Sequence, residues 1–174
     1  MKSETIVMKR YPTLFLVTCV LTGCGLAQNV SDGTTSMVKA VFYQQVKTLR
    51  LDFAARAALN PDEEGMPLVT EIGVYQLKDR QAFDKADYAG LQSDAHSLLS
   101  SDLLAERDIQ LRPGATISLD MPLDEKAQYV GLVAQFRTPD ARKNNWRLVL
   151  MRDELDPNKA RTLVLEKDSM TLVQ

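Results

Sequence analysis

Histidine is almost missing from this chain of 174 residues, with His96 the single example, and tryptophan also occurs once, at Trp146. Cysteine occurs twice, as Cys19 and Cys24, both close to the N-terminus, so no disulfide framework can run through the remainder and packing must hold it together. One imidazole without a free thiol is too little for a metal centre, which needs several ligands. With Ser97 and Asp94 as its neighbours it is also a poor basis for an oriented nucleophile and base. The formal net charge is −2 and charges of both signs are scattered rather than gathered in runs, so nothing asks for nucleic acid as a partner. No apolar stretch approaches the roughly 20 residues that a membrane-spanning helix needs.

A shorter apolar run is present. Residues 14–21 follow the basic pair Lys9-Arg10 and end in Leu21-Thr22-Gly23-Cys24, which resembles the lipobox of bacterial lipoproteins. An aliphatic residue, a small one and glycine before cysteine suit a membrane-embedded peptidase, and the Cys24 sulfur is the nucleophile that takes a diacylglyceryl group. Residues 1–23 then form a signal peptide, with translation beginning at Met1 or at Met8. Cys19 leaves with that peptide, and Cys24 becomes the acylated first residue, its covalent lipid being the sole group attached. Gly25, where an aspartate resembles an inner-membrane retention signal, points to the outer membrane. About 150 residues remain, enough for one domain. Residues 24–37 are polar and turn-rich and read as a flexible tether, with a periplasmic domain over residues 38–174.

Within that domain, Leu49, Leu51, Phe53, Ala55, Ala57 and Leu59 alternate with outward residues as in a half-buried strand. Residues 60–65 break it with turn formers and acids, and a strand resumes over residues 68–77. Asp79, Asp87 and Asp94 are each placed to cap a short helix within a helical insertion over residues 79–104. Arg112-Pro113-Gly114-Ala115 suits a type II turn, which predicts a hairpin between residues 108–111 and 116–121. The nearly continuous apolar run at residues 127–137 fits a central strand covered on both faces, and residues 146–151, 161–166 and 170–173 complete about eight strands. The fold class is mainly β: a two-sheet sandwich with short helices after the second strand. Trp146, Tyr75 and Tyr129 read as packing residues, and Gly73 and Gly131 as close backbone approaches or bulges.

Several segments together resemble one family. They are residues 59–62, Val74-Tyr75-Gln76-Leu77-Lys78-Asp79 with Phe83, Ala86-Asp87-Tyr88 with Leu91, and Asp102-Leu103-Leu104. Leu111-Arg112-Pro113-Gly114, the run from Tyr129 through Arg137, and Asn145-Trp146-Arg147 continue the series. In this order and spacing the chain is similar to the TssJ (SciN, VasD, Lip) family of type VI secretion outer-membrane lipoproteins. The resemblance implies a transthyretin-like or C2-like sandwich, and calcium binding does not follow from a C2-like shape. It also implies binding to the periplasmic C-terminal region of TssM and, through TssM, association with TssL in a trans-envelope complex. The contact it implies is the loop between the first two strands: Asn60, Pro61, Asp62, Glu63, Glu64, Gly65 and Met66. Residue chemistry alone leaves two classes open, a non-enzymatic assembly protein and a lipid-tethered ligand-binding module or transthyretin-type hydrolase. A concave site gathering His, Arg, Ser or exposed aromatics separates the second from the first.

Overall fold

The computed structural model describes residues 45–140 and 142–173, so the leader, the lipobox with Cys24 and the tether lie outside the described residues. Eight strands form two four-stranded sheets. β1 (Thr48–Leu59) lies between β4 (Thr116–Pro122) and β7 (Arg161–Lys167), with β8 (Ser169–Val173) beyond β7. β2 (Thr70–Leu77) and β5 (Tyr129–Ala134) form the centre of the second sheet, flanked by β3 (Leu103–Leu111) and β6 (Arg147–Met151). Among the described residues, only β1 and β7 pair in parallel.

The alternation in β1 has the expected result at Leu49, Leu51, Phe53 and Leu59, which are fully buried, but Ala57, expected in the same inward row, is exposed where the register with β7 shifts between Ala55 and Leu59. The outward row meets β4 in register, Arg50 opposite Asp120 (2.8 Å) and Ser118 donating to Asp52 (2.6 Å). β2 and β5 are apolar on both faces because both are covered. Val74 and Leu132, opposite each other, belong to the core between the sheets, while Tyr75 and Gly131 form the next opposed pair on the other face. There α1 (Gln81–Lys85) and α2 (Tyr88–Leu99) pack through Phe83, Leu91, Ala95 and Leu99. Buried Gln76 crosses the core, donating to Pro122 O (2.8 Å) and accepting from the Asp124 amide (2.8 Å), so both ends of its amide are paired.

Asp87 caps α2 and Asp94 caps its second half as expected, but Asp79 does not cap α1: the N-cap there is Arg80, and Asp79 stands one residue before it. Asp79 accepts from Gln81 N (2.7 Å), Asp87 from Gly90 N (2.8 Å) and Asp94 from Ser97 N (3.1 Å), the last at a break inside α2. Arg147 closes the other end of α1, donating to the carbonyls of Phe83, Ala86 and Asp84. Arg152 does the same at the end of the sandwich where the chain enters β1. It donates to Asp124 O, Ala127 O and Val46 O at 2.8, 2.6 and 3.0 Å.

Further departures from the sequence expectation concern turns, strand ends and glycines. The turn at residues 112–115 forms, with Ala115 N donating to Arg112 O (3.0 Å) and Gly114 at φ +72°, but it does not close a hairpin. β3 stays on β2 while β4 leaves to pair with β1 in the other sheet, because a turn fixes reversal of the chain and not the partner of the strand that follows. β3 begins at Leu103, which shortens the helical insertion. β2 begins at Thr70, so Leu68 and Val69 stay in the loop. Gly73 and Gly131 make room for rings rather than for backbone or a bulge: a Cβ on Gly131 would stand 2.6 Å from the Phe83 ring, and one on Gly73 would meet Tyr75.

Burial, then the carboxylates of Asp108, Glu106 and Glu71, push the Tyr75 phenol up to about 12. Below its usual value of 10.0 both folded and unfolded chains keep the proton. Above it the unfolded chain ionises first, and stability falls by up to about 1.4 kcal/mol per pH unit until the folded phenol also titrates. The melting temperature should therefore drop between pH 10 and 12. Tyr75→Phe should flatten that limb, and an unchanged slope in this variant would assign the loss to other groups.

Candidate partner-binding site

The site is built on the end of β1. Asn60 follows Leu59 with φ +46°, a left-handed backbone that asparagine tolerates better than most residues, and is itself buried. Its amide N–H donates to Lys167 O (2.7 Å) and its side-chain carbonyl accepts from Arg137 N (2.7 Å). The side-chain NH2 reaches Gln135 O (3.4 Å). One residue thus joins the start of the loop to the β7–β8 turn and to the segment after β5.

Beyond it the loop bonds to itself. Asp62 accepts from the amides of Glu64 (3.0 Å) and Met66 (2.7 Å), and Gly65 takes φ +84°. Pro61 and Pro67 form an isolated antiparallel bridge, and Leu68 N donates to Leu59 O (3.1 Å). Glu63 is ion-paired with the Arg137 guanidinium. The neighbouring β5–β6 connection is braced by Asp140, which bonds the Lys143 ammonium and the amides of Lys143 and Arg142. These contacts hold its carboxyl below the usual range.

The seven residues expected as a contact loop are therefore together, but they divide in two. Asn60, Pro61, Asp62 and Glu63 are occupied in building the loop, whereas Glu64, Gly65 and Met66 face outward. Three further outward residues escaped the sequence reading. Pro67, Leu68 and Val69 are exposed, and with Met66 they form an uninterrupted apolar run at the surface. Met66 is 62% exposed, Val69 49% and Leu68 37%. The signal was present in the apolar letters directly after Gly65, which the period-two pattern absorbed into the following strand.

His96 stands on α2 with Nδ1 3.0 Å from Glu106 Oε1, at the rim of a shallow depression over Leu103, Leu104 and Ala105. No group of three His, Cys, Asp or Glu side chains is placed to hold a metal ion among the described residues.

A family model described as type VI secretion lipoprotein, VasD, EvfM, TssJ matches residues 47–168. A chain in a structure described as a type VI membrane complex is 43% identical, with a TM-score of 0.72 over 75% of this chain and 100% of that one. A chain in the structure of the type VI secretion protein TssM C-terminal domain from EAEC is 42% identical, with a TM-score of 0.67 over 74% and 99% of the two chains. The lipoprotein TssJ1 from Pseudomonas aeruginosa is 29% identical, with a TM-score of 0.62 over 73% and 95%. No curated protein matches.

Proposed function

The chain belongs to the type VI secretion lipoprotein family, and from that premise we propose that it is the outer-membrane anchor of a type VI membrane complex and docks on the periplasmic C-terminal region of TssM. In this reading Cys24 carries the lipid, Gly25 directs the protein to the outer membrane, residues 24–37 are the tether, and TssL is reached through TssM. The role is structural, with no reaction assigned to any residue.

The observation that carries the docking site is the geometry of residues 60–69: a loop fixed by its own hydrogen bonds, at one end of the sandwich, that turns apolar side chains to solvent. Support for the partner comes from the likeness, over 99% of its length, to a chain found in the TssM C-terminal domain structure. A preformed loop loses little conformational freedom on binding.

The test is site-specific photocrosslinking in cells that make both proteins. A photoreactive amino acid at position 64 should give a product identified as TssM by mass spectrometry. The same group at position 173, on the exposed end of β8 away from the loop, should not. TssM captured from position 173 and not from position 64 would move the interface to the opposite end of the domain.

A further inference from the structure

Resting on the reading that residues 60–69 meet TssM, we infer that the contact is made by an apolar ridge of Met66, Leu68 and Val69, and that TssM offers it an apolar groove rather than a basic patch. The loop carries three acids, and the sequence alone suggests that they meet basic residues. The structure removes two of them from that role. Asp62 is committed to the amides of Glu64 and Met66, and Glu63 to Arg137. Glu64 alone has neither an ion pair nor a side-chain hydrogen bond among the described residues, and one solvated acid contributes little across an interface edge.

The apolar exposure is concentrated in the same place. Of six large exposed apolar residues among those described, Leu98, Met151 and Val173 are widely spaced along the chain, while Met66, Leu68 and Val69 fall within four consecutive positions. Single exposed apolar residues are ordinary, but a contiguous group is a mark of an interaction surface. Pro67, in their midst, has no N–H to give a partner strand, and its bridge to Pro61 occupies the inner side of the loop. Strand addition is thus disfavoured at this point. Side chains, not backbone, are what the loop presents, and methionine beside two branched residues suits a groove of matching shape.

The experiment is a titration of the full-length protein in detergent against the purified periplasmic C-terminal region of TssM, at low and at high salt. Leu68→Asp and Val69→Asp should each weaken binding at least a hundredfold at both salt concentrations. Val69→Ser, a milder change, should weaken it about tenfold, and Glu64→Gln should alter it less than threefold. All three positions are solvent-exposed, and melting temperatures within a few degrees of the parent confirm that the variants are folded. If Glu64→Gln and added salt abolish binding while the ridge variants bind normally, the ridge inference falls and the docking loop survives. If every variant binds like the parent, the loop reading falls with it. Loss of self-association in the ridge variants, with TssM binding intact, would assign the ridge to a second copy of this chain and overturn the inference.

Discussion

Phe83→Ala should lower the melting temperature of the domain by about 10 to 15 °C, the equivalent of roughly 3 to 5 kcal/mol in a domain of this size. The Phe83 side chain is fully buried, and its ring lies over the bare Cα of Gly131 in the central strand β5, with the Tyr75 ring 6.5 Å away. Removing the ring leaves a void between the helical insertion and the sheet that rigid strands cannot close. The matching change, Gly131→Ala, brings a methyl within 2.6 Å of that ring and should cost about 1 to 3 kcal/mol by overpacking. Combined, the two should be less harmful than their sum by about 1 kcal/mol or more, because the methyl then enters space the ring has vacated. Thermal denaturation of the four proteins measures this coupling, and simple additivity would show that ring and glycine do not share a site.

The second large effect concerns location rather than folding. Cys24→Ser should abolish lipid attachment and leave a folded but untethered or uncleaved precursor, with the melting temperature of the domain unchanged. The described core holds no cysteine, so the thiol has no part in it. Acyl chains bring about 0.8 kcal/mol for each buried methylene, and two or more make anchoring stable. Fractionation with palmitate labelling decides it: label retained by the serine variant would refute the lipid assignment. Gly25→Asp should in turn shift the lipidated protein to inner-membrane density, and an unaltered gradient position would count against the role given to Gly25.

Local patterns in the sequence were sufficient for much of the fold. The β1 alternation from Leu49 to Phe53, the apolar run that became β5 and the capping by Asp87 and Asp94 all act within a few residues of themselves, so their letters carry the outcome. The Pro113-Gly114 turn was equally legible as a turn, yet its strands part to different sheets because their partners, β2 and β1, lie far away in sequence. The same limit applied to the candidate site. Its position between the first two strands could be read, but the Asn60 and Glu63 contacts with Arg137 span 77 and 74 residues, and no local pattern encodes them. For this reason excising residues 61–64 would disturb the brace formed by Asp62 and Pro61 as well as any contact with TssM. Single changes at positions 64 to 69 separate the two effects.

The placement of β1 has a mechanical consequence. The chain enters this strand beside Val46, held by Arg152, and leaves it at the loop that bears the apolar ridge, so β1 runs from one end of the sandwich to the other. Twelve strand residues at about 3.3 Å each put those ends roughly 40 Å apart. On the proposed attachment, with the lipid before β1 and TssM at the loop after it, tension between the two runs lengthwise along β1. The covalent backbone of β1 carries such a pull, and the ladder bonds to β4 and β7, which lie across the strand, can yield only together, in shear. A pull on the edge strand β8 peels its bonds one after another. If anchor and partner act at these two ends, as proposed, the domain is oriented to resist force along the line that joins them.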